Sequence, residues 1–224
     1  RYDLLLEEYK NPEYQREAKR YTESLIAHHT SGRLKVAPEH TSPNVLKIMR
    51  KPPFSLFERF TRIFDEVNKK YGLKQQLIPY FISSHPNSHE VDMAELAVLT
   101  KRLNFHLEQV QDFTPTPMTL ATEIYYTGYH PYTLEKLYCA ISPEEKRKQR
   151  RYFFWYKPEE RRELIQALQS LHRPDLIEAL FGQHVARQPE SSKKKNPRQS
   201  PHEHSSHARS SKNKSSKTNF SKRR

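Results

Sequence analysis

The sequence predicts an α/β fold with a parallel sheet, followed by a helical segment and a basic tail. Up to about residue 103, apolar residues with helical spacing alternate with short strand-like runs. Beyond residue 130 only helical patterns continue, and from His184 the apolar residues almost disappear. The residues alone leave open whether the sheet is doubly wound or closed as a barrel.

The first elements follow from hydrophobic spacing. The opening run RYDLLL, residues 1–6, favours a strand, and Tyr14, Ala18, Tyr21 and Leu25 then recur with helical spacing. A helix is therefore predicted from Pro12 to about His29. The short run Leu34–Ala37 that follows is predicted to be a strand.

The same alternation continues through the middle of the chain. A helical stripe of Phe57, Phe60, Phe64, Val67 and Tyr71 ends before Gly72, a residue that suits a left-handed helix end. The run QLIPYFIS, Gln76–Ser83, is apolar at both odd and even positions, as in a strand covered on both faces, although Pro79 weakens that prediction. Asp92 and Glu95 are then read as a capping box that begins a third helix.

Polar residues follow the ends of two predicted strands. Glu39 and His40 come after Leu34–Ala37, where Pro38 fixes the backbone, and Ser84 and His85 come after the next strand. Since active groups gather at the carboxyl ends of parallel strands, we expect these two pairs at one rim. Adjacent Ser84 and His85 lack a nucleophile elbow, which argues against hydrolase chemistry.

The C-terminal third is predicted to be helical and then disordered. Short helices are predicted at Thr119–Tyr126, from the Ser142 capping box toward Tyr156, and at Glu159–Leu171 and Pro174–Phe181. From His184 onward, twelve Lys and Arg stand against two Glu, which gives +10 of the net charge of +13. Such a tail cannot form a core, and it is expected to bind polyanions, including RNA, without specificity.

Composition excludes several function classes. The four glycines form neither a P-loop nor a dinucleotide fingerprint, and the single cysteine, Cys139, cannot make an internal disulfide. No apolar run reaches 18 residues, so a cytoplasmic protein without a membrane partner is expected.

The stretch KRKQRRYFFWY, Lys146–Tyr156, fits a nucleic-acid-binding helix or an amphipathic helix whose aromatic side is buried.

Three strings in order make the chain resemble the YgiQ family of radical S-adenosylmethionine (SAM) proteins. They are LKVAPEHTS with VLKIMRKP, then LIPYFISSHP, then EQVQDFTPTPMTLATEIYYTG. The resemblance covers roughly residues 1–183 and implies the C-terminal part of a (β/α) radical SAM-type partial barrel over 1–130. It further implies a helical C-terminal domain of unknown function over 131–183, ahead of the disordered basic tail at 184–224.

The resemblance also implies cofactors and candidate contacts. In the complete family enzyme, a CxxxCxxC loop holds a 4Fe–4S cluster with SAM, whereas this chain has one cysteine and is expected to hold no cluster alone. The missing N-terminal half is therefore an expected partner, in the same chain or a separate one. Candidate SAM or substrate contacts are Arg1, Asp3, Glu39, His40, Ser84 and His85, with no catalytic residue or metal ligand assigned. The alternative is a non-enzymatic nucleic-acid-binding protein that acts through the tail and the Lys146–Tyr156 helix.

Overall fold

A computed structural model describes residues 2–6 and 10–182 of the chain. The candidate contact Arg1 and the tail that was predicted to be disordered from residue 184 lie outside these described residues. Within them, no helix has both the length and the apolar character needed to cross a membrane.

The sheet has three parallel strands in the order β1-β2-β3. They are β1 (Arg33–Glu39), β2 (Gln76–Ser83) and β3 (Gln109–Asp112). The predicted strand at Gln76–Ser83 is confirmed, and the one at Leu34–Ala37 is confirmed and longer. The mixed α/β class is therefore confirmed, and the partial barrel stays a prediction.

Pro79 is accommodated at the centre of the sheet by an irregularity in the neighbouring strand. It pairs with Val36, and the register of β1 shifts between Val36 and Glu39. A proline in a strand removes one ladder hydrogen bond, and a bulge is one of the few places where that loss is tolerated. Buried Pro38, which also lacks an N–H, lies inside the same irregular stretch.

Helices connect and flank the strands. Those before β3 are α1 (Tyr2–Leu5), α2 (Pro12–His29), α3 (Pro43–Ile48), α4 (Phe54–Tyr71) and α5 (Glu90–Arg102). Those after it are α6 (Leu120–Thr127), α7 (Pro143–Arg151), α8 (Pro158–Ser170) and α9 (Pro174–Phe181), with a 3₁₀ turn at Tyr152–Phe154. The predicted helices are confirmed to within a few residues, and the left-handed end of α4 at Gly72 is confirmed by its φ of 65°.

Three predictions of local structure were wrong or incomplete. The run RYDLLL contains a helix instead of a strand, because Tyr2 packs its ring against Phe57 and Phe60 of α4. The capping box of α5 pairs His89 with Asp92, so the helix begins earlier than the Asp92 box predicted. Strand β3 was not predicted, since its four residues carry one apolar side chain.

One face of the sheet carries the main core. Leu77 and Phe81 of β2 are buried against aromatic residues of α4 and apolar residues of α5, and the same cluster includes residues of α8 and α9. Because side chains alternate along a strand, Tyr80 and Ile82 lie on the opposite face, where Gln111 of β3 joins them. That second face forms the floor of the candidate site.

Candidate functional site

A cavity of about 360 Å³ lies at the carboxyl ends of the strands. Its floor includes Tyr80, Ile82 and Gln111, and the Tyr80 hydroxyl donates a 2.6 Å hydrogen bond to Gln111 Oε1. Further lining comes from the end of β1, the α3–α4 connection, the loops after β2 and β3, and the start of α6. The residues are Glu39, Ile48, Met49, Arg50, His85, Asp112, Phe113, Thr114, Thr116, Thr119, Leu120 and Ala121. This volume falls within the range of small-molecule sites.

Glu39 and His85 are the sequence-predicted residues that the structure brings together in this cavity. Glu39 ends β1 in the left-handed region at φ 66°, and its carboxylate forms a 2.8 Å ion pair with Lys51. The Glu39 side chain is 20% exposed, so one oxygen is held by Lys51 while the group still borders the cavity. A left-handed non-glycine residue is unfavourable by about 1–2 kcal/mol, and such strain is frequent at functional sites.

The tautomer of His85 follows from its backbone contact. Its Nδ1 lies 3.0 Å from the carbonyl oxygen of Pro86, and since a carbonyl only accepts, Nδ1 carries the hydrogen. Burial lowers the pKa of His85 to about 4, so the ring is neutral at pH 7. Nε2 therefore keeps a lone pair, and no group in the described part of the chain donates to it. The ring packs edge-on against Phe113, with 5.0 Å between centroids.

His40 has the opposite tautomer and lies behind the cavity wall. It is fully buried, its Nδ1 accepts from the Ser42 N–H at 3.0 Å, and its pKa is lowered to about 4, mainly by desolvation. In the neutral ring Nε2 then carries the hydrogen and points to Ser88 Oγ at 3.3 Å. His40 is thus a fixed donor inside the protein instead of a contact in the cavity.

Gln149 of α7 ties the two strand ends together from behind. Its Oε1 accepts from the Ser84 N–H at 2.9 Å and from the Ser88 hydroxyl at 3.0 Å, and its Nε2 donates to the Ser88 carbonyl at 2.6 Å. Through Ser88 the network reaches His40. Ser84 itself is fully buried at φ 59°, and its hydroxyl has no hydrogen-bond partner among the described residues.

The two remaining candidates are Asp3 and Arg1. Asp3 lies on α1, which packs against α2 and α4, and it is not among the cavity-lining residues. Arg1 is outside the described residues. The structure therefore places two of the six candidates in the cavity and two, His40 and Ser84, in the buried network behind it.

The chain's residues do not fit a 4Fe–4S cluster. Cys139 is the single cysteine of the sequence, its thiol donates to the Ile124 carbonyl at 3.5 Å, and burial raises its pKa. Within residues 2–6 and 10–182, no group of three or more His, Cys, Asp or Glu side chains is arranged to hold a metal ion. Three positioned thiolates are required for such a cluster.

The basic helix places its aromatic residues in the core. Tyr152 and Phe153 are fully buried, and Tyr152 donates a 3.0 Å hydrogen bond to Glu90. Three cations of the helix are paired, Lys148 with Glu144, Arg150 with Asp112, and Arg151 with Glu160 and Glu163. This is the arrangement of an amphipathic helix, and it leaves neither of the two buried rings accessible for base stacking.

Gln149, Ser88 and Arg50 were missed by sequence reasoning. Gln149 stands inside the run KRKQRR, which draws attention to charge, although its spacing of three and four residues from buried Tyr152 and Phe153 marks the buried helix face. Ser88 and Arg50 lie in irregular connections and carry no comparable pattern.

Comparisons with known proteins find a matching family model and several similar proteins. Residues 108–224 match the family model of a domain of unknown function, DUF3362. The chain is 62% identical over 182 residues to a UPF0313 protein of Bacteroides thetaiotaomicron, and 62% identical over 181 residues to one of Porphyromonas gingivalis. A UPF0313 protein of Methanocella arvoryzae is 41% identical over 177 residues.

These matches cover most of this chain and a minor part of the relatives. They span 81%, 81% and 79% of the chain, and 29%, 28% and 28% of the three relatives. The chain thus corresponds to less than a third of the length of the curated relatives that it matches. It belongs to the UPF0313 family, the YgiQ family, and carries that family's DUF3362 domain.

Proposed function

We propose that this chain supplies the SAM-facing or substrate-facing wall of a radical SAM protein of the UPF0313 family. The proposal is supported by one observation above others. Glu39 and His85, which follow successive parallel strands, line the same cavity with acceptor groups, and the His85 Nε2 lone pair has no donor within the described residues. Such an acceptor suits a hydroxyl or amino group of a bound molecule.

SAM fits the donor and acceptor pattern of the cavity. Its ribose hydroxyls and amino groups can donate to the Glu39 carboxylate, while Phe113 offers an aromatic wall. Bound at a reduced cluster, SAM is the source of an organic radical in radical SAM enzymes. This chain's own residues bind and orient, and the ion pair with Lys51 fixes the direction of the Glu39 side chain. The cluster has to come from the part of the protein that corresponds to the rest of the relatives' length.

The alternative, a non-enzymatic nucleic-acid-binding protein acting through the Lys146–Tyr156 helix and the tail, finds less support. Tyr152 and Phe153 of that helix are buried, and Arg150 lies 3.4 Å from Asp112 of β3. The helix serves packing and carries Gln149 into the buried network. The tail lies outside the described residues and keeps its expected non-specific attraction to polyanions.

A chimera tests the proposed function. The matched segment of the Bacteroides relative is replaced by this chain, and the protein is reconstituted anaerobically and assayed for 5′-deoxyadenosine. Glu39→Gln removes the charge and retains the shape, and it is expected to weaken SAM or substrate binding by about 1–3 kcal/mol. The matched control is Glu108→Gln, which removes an exposed carboxylate paired with Arg33 outside the cavity. Equal effects of the two variants would refute the assignment.

A further inference from the structure

Two exposed tyrosines are linked by ring contacts to residues that line the cavity and its mouth. Tyr132 is 75% exposed, and the guanidinium carbon of Arg50, a cavity-lining residue, lies 6.0 Å from its ring centroid. Tyr126 is 74% exposed and packs at 5.3 Å on Tyr125. Tyr125 in turn packs at 5.6 Å on Phe113, which lines the cavity. Aromatic rings therefore continue from the cavity wall to the surface.

Among Glu39, Arg50 and Asp112, the charged residues that line the cavity, Arg50 alone lacks an ion-pair partner within the described residues. Within the described residues, the carboxylates of Glu39 and Asp112 each have a cationic partner, Lys51 and Arg150. In the same part of the chain, Arg50 contacts the ring of Tyr132 and has no ion-pair partner. Lys146, whose Nζ lies 4.9 Å from the Tyr125 ring centroid, is likewise without an acidic partner there. An anion that enters the cavity thus meets Arg50 without displacing a carboxylate.

Inside the mouth, the free lone pair of His85 selects for a donor. Burial keeps this imidazole neutral, so Nε2 accepts a hydrogen bond and carries no charge that would attract a phosphate. A hydroxyl group is the matching ligand group. An exposed ring can stack on a base, an unpaired cation can bind a phosphate, and a hydroxyl acceptor can bind a ribose.

We propose that the cavity takes a nucleotide of single-stranded RNA. A base stacks on the exposed ring of Tyr132, a phosphate binds Arg50, and the 2′-hydroxyl donates to His85 Nε2. The 2′-hydroxyl is the group by which proteins distinguish RNA from DNA. This proposal rests on the proposed function, because it assigns a substrate class to the same cavity.

The test uses the full chain with its basic tail. Fluorescence anisotropy measures binding of labelled RNA and DNA of the same sequence, each about twelve nucleotides long, a length within the usual site size. Titrations at about 0.1 M and about 0.4 M salt separate the contributions, since phosphate contacts of the tail weaken steeply with salt and stacking does not. The variants are Tyr132→Ala, Tyr126→Ala and His85→Phe. Tyr14→Ala is the control, because Tyr14 is 62% exposed on α2 and remote in sequence from the mouth.

The expected result is a loss of RNA affinity of about 5-fold or more for Tyr132→Ala at both salt concentrations, with no change for Tyr14→Ala. RNA should bind more tightly than DNA, and His85→Phe should remove that preference. Equal affinities of Tyr132→Ala and Tyr14→Ala, or equal binding of RNA and DNA at the higher salt, would overturn the proposal and assign the tyrosines to a protein contact.

The SAM assay keeps the two proposals separate. It requires no RNA, and the anisotropy titration requires neither SAM nor the cluster. If RNA binding is insensitive to Tyr132 while SAM affinity depends on Glu39, the substrate class is wrong and the proposed function stands. If SAM handling is insensitive to Glu39 while RNA binding requires Tyr132, the cavity is an RNA site without the proposed SAM role.

Discussion

The buried amide of Gln149 gives the sharpest stability prediction. Gln149→Leu keeps a similar volume and removes three hydrogen bonds, those with the Ser84 N–H, the Ser88 hydroxyl and the Ser88 carbonyl. A buried backbone group left without a partner costs about 1–3 kcal/mol, and two are orphaned here. Because leucine gains some apolar burial, we expect a net loss of about 3 kcal/mol in the free energy of unfolding.

Gln149→Glu adds a test of the direction of the amide. Protonated glutamate can donate to the Ser88 carbonyl while accepting from Ser84 and Ser88, but the ionised form places a charged oxygen against that carbonyl. Burial and this repulsion raise the folded-state pKa above the unfolded value of about 4.3. Compared with wild type at the same pH, the variant should therefore be most stable below that pH, and should lose stability as pH rises through the folded-state pKa.

Urea unfolding followed by circular dichroism measures both effects, with Arg147→Leu as the control. Arg147 is an exposed residue of the same helix, and surface substitutions change stability by about 0.5 kcal/mol or less. A loss below about 1 kcal/mol for Gln149→Leu would refute the description of the network. So would a stability difference between Gln149→Glu and wild type that does not change with pH.

Three further predictions concern the same region. Stability should fall as pH drops from about 6.5 to about 4, because the folded-state pKa values of His40 and His85 are both lowered to about 4 and the unfolded chain binds the protons first; a pH series of urea midpoints that stays flat across this window would contradict it. Ser84→Gly should stabilise the protein by about 1 kcal/mol, since glycine adopts φ 59° without strain and the lost hydroxyl has no partner in the part of the chain that the structure describes; thermal unfolding measures this, and a destabilised variant would show that the hydroxyl has an unseen partner. The isolated chain, treated anaerobically with iron and sulfide, should not gain the four irons of a cluster, because it has one cysteine; iron analysis decides it, and stoichiometric binding would show that other ligands suffice.

Long periodic segments were predictable from the sequence, and short ones were not. Two such predictions are confirmed, helix α4 from its phenylalanine stripe with its end at Gly72, and strand β2 from its apolar run. Burial alone determines both patterns. The strand predicted for the run RYDLLL was wrong because periodicity is ambiguous over six residues, and the packing of Tyr2 on α4 decides that it forms a helix. Strand β3 exists because β2 offers it a ladder of hydrogen bonds, which its own four residues do not reveal.

The candidate site was half predictable for a physical reason. The carboxyl-end rule correctly brought Glu39 and His85 to one cavity, since it depends only on parallel strands. It could not show that His40 and Ser84 point into the protein, because this depends on the backbone turning through the left-handed region at Glu39 and Ser84. Nor could it find Gln149, whose contacts join residues 61 and 65 positions apart in sequence.

The affinity of the chimera for SAM, compared between wild type and Glu39→Gln, tests the central claim most directly. Glutamine retains the shape of Glu39 and removes the charge of a side chain that lines the cavity beside Lys51. The account predicts an affinity weaker by about 5-fold or more, equivalent to one lost hydrogen bond of about 1 kcal/mol, with the melting temperature nearly unchanged. Unchanged SAM affinity in a variant that unfolds more easily would contradict it and would make Glu39 a structural residue.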